Sequence, residues 1–112
     1  MNTIQDFWVN NHHFHKIISD MIVCPEVKCA DGFTVSVQAS RYFYSTPNAY
    51  MAEGCYTHWE LGFPSEADAL INEYAKDEDN LTDTVYGFVP TEIVNALIEK
   101  HGGLVEKIPS TY

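Results

Sequence analysis

The chain predicts an α+β domain: a mostly antiparallel sheet of four to five strands, with two to three helices packed on one face. Three observations carry that reading. Phe33, Val35, Val37 and Ala39 alternate with Thr34, Ser36, Gln38 and Ser40, the two-residue period of a half-buried strand. Asp31-Gly32 just before them marks a tight turn, so this strand is one arm of a hairpin and the sheet is antiparallel there. Ile93, Val94, Leu97 and Ile98 recur at helical spacing instead. A length of 112 residues is that of one domain. We divide it into an N-terminal helix (1–20), a core of sheet and helices (22–108) and a loose tail (109–112).

The first helix opens at Thr3, whose hydroxyl and the Asp6 carboxylate stand at capping-box spacing. Ile4, Phe7, Trp8, Phe14, Ile17, Ile18 and Met21 then follow a helical period with Asn11 as the one polar gap, and the helix is expected to end near Ser19 or Asp20. Pro25 disfavours helical geometry at Cys24. Val23 to Ser40 reads as the hairpin. A two-residue loop at Asp31-Gly32 would set Lys28 opposite Val35 and leave Val27 and Cys29 on the polar side. A three-residue loop, Ala30-Asp31-Gly32, pairs Cys29 with Phe33 and Val27 with Val35 on one apolar face. One residue of slip inverts every side chain, so the three-residue loop with a left-handed Gly32 is preferred.

Arg41 to Gly54 shows no clean period, and Pro47-Asn48 signals a turn. A third strand is expected over Tyr56–Phe63, with Trp59, Leu61 and Phe63 facing the core. Pro64 ends it. Ser65 with Asp68 then repeats the capping-box spacing, and Ala67, Leu70, Ile71 and Tyr74 form an apolar stripe, predicting a helix over Ser65–Lys76. Asp77 to Asp83 reads as an acidic loop and Thr84–Val89 as a fourth strand. Pro90 suits the first turn of a last helix, which Gly102-Gly103 stops. Leu104–Ile108 is expected to add a short edge strand.

Sixteen acidic residues stand against six basic ones, a net charge of −10. Between Arg41 and Lys76 there is neither Lys nor Arg, whereas Glu66, Asp68, Glu73, Asp77, Glu78, Asp79 and Asp83 crowd into fewer than twenty positions. Such a surface repels nucleic acid and membranes and attracts basic proteins. Direct nucleic-acid binding is excluded as the main activity, since it needs a basic stripe. No apolar run approaches the roughly 18 residues of a membrane span. Three cysteines at irregular spacing fit a reducing compartment, here a cytoplasm.

No motif names a reaction. His12, His13 and His15 lie close together, but on a helix His13 points about 100° away from the other two, and no second Cys/His pair completes a zinc site with Cys24 and Cys29. Cys55 and His58, three apart on a strand, fall on opposite faces. Asp77-Glu78-Asp79-Asn80 lacks the alternating ligands and mid-loop glycine of a calcium loop. Neither metal nor cofactor is expected. Imitation of DNA by the acidic patch is partial, because an 18 Å helix matches roughly ten phosphates and Ser65–Lys76 offers only Glu66, Asp68 and Glu73; fuller mimicry would take the remaining acids or a homodimer. Tyr42, Phe43, Tyr44, Tyr50 and Tyr56 either form an aromatic contact surface or cap the sheet.

Several stretches resemble small acidic accessory proteins of tailed phages and prophages: Val27-Lys28-Cys29-Ala30-Asp31-Gly32-Phe33, Ser36-Val37-Gln38-Ala39-Ser40, Leu61-Gly62-Phe63-Pro64-Ser65, Glu73-Tyr74-Ala75, Thr84-Val85-Tyr86-Gly87-Phe88-Val89-Pro90 and His101-Gly102-Gly103. The likeness covers most of residues 27–103 and leaves out the histidines near the N-terminus. It implies an accessory protein made in the cytoplasm of a bacterial host, of the kind that often inhibits host defence, CRISPR and restriction included. Charge and resemblance together lead to one expectation. The chain is a binding protein rather than an enzyme, and it blocks a basic host protein or nucleoprotein complex through Glu66, Asp68, Glu73, Asp77, Glu78, Asp79 and Asp83, with Tyr42 and Tyr44 as aromatic anchors. The alternative is a small enzyme or ligand-binding domain using the sheet face near His58 and Glu60.

Overall fold

A computed structural model describes residues 3–18 and 21–105. Along the chain run α1 (Ile4–Asn11), β1 (His13–Phe14), β2 (Ile22–Val23), β3 (Val27–Lys28), β4 (Thr34–Gln38), β5 (His58–Gly62), a single 3-10 turn (Asn72–Tyr74), β6 (Val85–Pro90) and α2 (Thr91–Lys100). Strands β3-β4-β5-β6 form one antiparallel sheet in chain order, and β1 and β2 pair as a separate two-stranded ribbon. The fold is α+β, as the alternation in β4 predicts.

The hairpin takes the three-residue loop. Val27 stands opposite Val35, the Cys29 N–H donates to the Phe33 carbonyl, and Gly32 has φ +97°. Val27, Cys29, Phe33, Val35 and Val37 are all buried as a result. Trp59 and Leu61 of β5 and Tyr86 and Val89 of β6 complete the inner face of the sheet. Against it lie Val94, Leu97 and Ile98 of α2, and Ile4, Phe7 and Trp8 of α1. The indole of Trp8 meets Trp59 and Tyr56 edge-on, at 6.3 and 5.3 Å between ring centroids, the favoured geometry for aromatic quadrupoles. Asn95 ties the helices together by accepting the Ile4 N–H at 2.8 Å.

Four expectations are corrected. The first helix stops at Asn11 rather than near Ser19. Thr3 caps it as foreseen, accepting from the Asp6 N–H at 3.2 Å, but the Asn10 and Asn11 amides donate to the Asp6 and Phe7 carbonyls, and His12 turns extended while its Nδ1 donates to the Trp8 carbonyl at 2.7 Å. Side chains that bond helix carbonyls compete with helix propagation. Phe14, Ile17 and Ile18 are therefore exposed, and His13 lies in β1.

The helix over Ser65–Lys76 does not form either; successive turns and the Asn72–Tyr74 3-10 turn replace it. Tertiary bonds outbid the local signal. Ser65 spends its hydroxyl on the Thr34 N–H and its own N–H on the Thr34 carbonyl, and Asp68 is drawn inward. Phe63, expected in the core, is 52% exposed at φ +51°: the left-handed backbone breaks the strand's in-out alternation there, while the Phe63 N–H still donates to the Thr84 carbonyl. Pro90, finally, ends β6 and is the N-cap of α2, one position before the first turn. Past Gly102 and Gly103, Leu104 bridges Cys29 and the Val105 N–H donates to the Lys28 carbonyl, alongside β3. The rest of the expected edge strand, and the tail, lie outside the described residues.

Candidate binding surface

The acidic loop is held rigidly at its base. Ala75 bridges Tyr86, the Lys76 N–H donates to the Val85 carbonyl at 2.9 Å, and the Asp77 N–H donates to Thr84 Oγ1 at 3.1 Å. The Tyr86 hydroxyl, on a fully buried ring, donates to the Leu81 carbonyl. Within the loop the Asn80 and Asp83 N–H groups close two turns, and Asp77 accepts from the Asp79 N–H and the Asn80 amide. The Asn80 amide and then the Asp79 N–H hold the Asp77 carboxyl below its ordinary value, so it stays ionised. Glu78, Asp79 and Asp83 are exposed and make no ion pair among the described residues. Glu66 and Glu73 are exposed as well, on the turns that replace the helix.

Asp68 is placed otherwise. Its side chain is 3% exposed, and it lies 3.0 Å from the Lys100 ammonium and 2.8 Å from His101 Nε2. Asp31, in the hairpin turn, takes the other ring nitrogen at 2.7 Å. Phe33 stacks flat on the imidazole, centroids 3.9 Å apart. With a carboxylate at each nitrogen, both nitrogens must donate, so the ring is an imidazolium. Burial works against that charge, but Asp31 and Asp68 outweigh it and raise the His101 pKa. Burial likewise pulls Asp68 upward, yet the Leu70 N–H, His101 and Lys100 together leave it below its ordinary value. No lone pair remains on the ring for a base or a metal ligand. This is a staple joining hairpin turn, loop and helix end. Sequence reasoning missed it because its members stand 33 and 70 positions apart and carry no shared local pattern.

The aromatic loop divides. Tyr56 is buried, its hydroxyl accepting from the Met51 N–H and donating to the Ala49 carbonyl. Tyr42, Tyr44 and Tyr50 keep exposed rings. Arg41 lies over the Tyr42 ring and Lys76 over that of Tyr44, at 5.0 and 4.5 Å from the centroids. Tyr44 is also fixed to the sheet: its N–H donates to Glu60 Oε1, and its carbonyl accepts the Phe88 N–H, both at 3.1 Å.

His58 and Glu60 share the outer sheet face. His58 Nδ1 lies 2.9 Å from the Thr57 hydroxyl, and Glu60 is committed to Tyr44. Burial raises the Glu60 pKa, against the pull of the Tyr44 N–H and Lys76. The buried thiols are unreactive by the same desolvation, Cys24 pushed up to about 12 and Cys29 to about 11. Among the described residues no three His, Cys, Asp or Glu side chains converge as metal ligands, and no helix is long and apolar enough to cross a membrane.

Comparison with known proteins returns no matching family model, no matching curated protein and no matching solved structure.

Proposed function

We propose that this chain is a phage-type accessory binding protein that inhibits a host defence complex, CRISPR or restriction, by covering a basic nucleic-acid-handling surface. The observation that carries the reading is the pinned acidic loop. Asp77, Glu78, Asp79 and Asp83 repel one another, and a free loop would relax to separate them. Here buried Tyr86, the Thr84 hydroxyl and the β6 backbone bond to the loop that carries them. A preorganised anionic surface loses little ordering entropy on binding and steers a cationic partner from a distance. Glu66 and Glu73 extend the negative field, while Asp68 serves the fold.

The test is direct binding to a panel of purified CRISPR effectors and restriction enzymes at low and high salt. At least one should bind in a salt-sensitive manner, in competition with its nucleic acid, and the triple variant Glu78→Gln, Asp79→Asn, Asp83→Asn should lose most of that affinity. Absence of binding to the whole panel at low salt, or binding indifferent to the triple variant, overturns the reading.

A further inference from the structure

A bulge between β5 and β6 shifts the register between Trp59 and Leu61, opposite Gly87 and Phe88. Bulges re-aim side chains. Phe88 has φ +53°, a strained backbone for a residue bearing a Cβ, yet its ring is 45% exposed. Burial therefore does not repay the strain. What the conformation achieves is a pairing. The Phe88 ring lies 5.8 Å from the ring of Tyr44, itself 48% exposed, and the Phe88 N–H is bonded to the Tyr44 carbonyl.

The site already holds a cation. The Lys76 ammonium sits over Tyr44, and its stem crosses Gly87 so closely that a Cβ there would stand 3.0 Å from Lys76 Cε. Glu60 accepts the Tyr44 N–H, and its carboxylate interacts with the Lys76 charge. Lys76 makes no ion pair among the described residues, and Asp77, where the acidic loop begins, is the next residue.

We propose that Phe88 and Tyr44 form an aromatic seat for an arginine side chain of the basic partner, continuous with the acidic loop. The inference rests on the reading above and adds to it the anchor and its chemistry. A guanidinium is planar and weakly hydrated, and it stacks on aromatic rings better than an ammonium does. An arriving arginine takes the place in which Lys76 now lies over the Tyr44 ring, beside Phe88, and releases the Lys76 ammonium to water.

The experiment compares oligo-arginine and oligo-lysine peptides of equal length by fluorescence anisotropy at low salt. The arginine peptide should bind measurably tighter, by no more than roughly five-fold, the size of a whole exposed cation–π contact. Tyr44→Ala and Phe88→Asn should each bring the ratio toward one while leaving salt-dependent binding of both peptides. Because Asn tolerates a positive φ, Phe88→Asn should keep its melting temperature while losing the preference, an outcome that a purely structural phenylalanine would not produce. Should that variant misfold, Tyr44→Ala alone decides. Equal binding of the two peptides, or a preference that survives both substitutions, overturns the seat and leaves the acidic surface standing. If neither peptide binds at low salt, seat and surface fall together.

Discussion

His101 Nε2 and Asp68 Oδ2 stand 2.8 Å apart across the end of α2, both side chains withdrawn from solvent. The contact removes one carboxylate from the acidic surface and turns it into the counter-ion of a buried imidazolium. Stability, pH response and surface charge thereby share one residue.

The staple has a pH signature. Imidazole ordinarily titrates at 6.5, and His101 lies higher in the folded chain; its contribution is complete below 6.5 and is lost as pH rises through the raised value. Asp31 and Asp68 lie below their ordinary 3.8, so theirs is complete above 3.8 and is lost as pH falls through the depressed values. The cluster therefore stabilises most between pH 3.8 and 6.5. Urea midpoints measured across pH should decline above that window in the native chain and decline less in His101→Gln. Identical slopes would show that the ring does not carry the charge assigned to it.

Removing one member of a buried pair leaves the others uncompensated. Asp68→Ala should cost about 3 kcal/mol, whereas Glu78→Gln, on the exposed loop, should stay within about 0.5 kcal/mol. Denaturant titration of the two variants separates them. Near-equal small effects would mean that Asp68 belongs with the surface acids after all.

Thr91 links β5 to the start of α2. Its hydroxyl accepts from the Trp59 indole N–H at 2.8 Å and donates to the Tyr56 carbonyl at 2.7 Å. Thr91→Val orphans both groups and should cost about 2 kcal/mol, whereas Thr91→Ser retains most of the native stability. Melting curves of the pair give the comparison; a larger loss in Thr91→Ser than in Thr91→Val would point to the methyl group rather than the hydroxyl.

Thiol reactivity should be sharply divided. With Cys24 and Cys29 buried and shifted to about 12 and about 11, only the exposed Cys55 should react quickly with a thiol-specific disulfide reagent, the other two following on unfolding. Fast reaction of all three in the native protein would contradict the packing of β3 against the core.

Much of this was legible locally. The hairpin loop followed from requiring Cys29 and Val27 to share a face with Phe33 and Val35, because strand period and turn geometry act over neighbouring residues. The end of α2 at Gly102-Gly103 is equally local; both glycines adopt positive φ. The acidic loop was legible as composition, but not its anchoring, since Tyr86 and Thr84 reach it through the sheet. Phe88 gave no signal at all, for its positive φ accompanies the bulge against β5, a feature of strand pairing that the local sequence does not carry.

The chain alone thus determined its α+β class, the register of its hairpin, the inner residues of β4 and the sign of its surface, all consequences of short-range periodicity and charge count. Tertiary structure decided where local preference yields. Asn10, Asn11 and His12 close α1 early through bonds to helix carbonyls. Ser65 and Asp68 abandon a well-signalled helix for partners on β4 and α2. A capping box or an apolar stripe stabilises a short helix only weakly, so a buried ion pair and bonds to the start of β4 outweigh it.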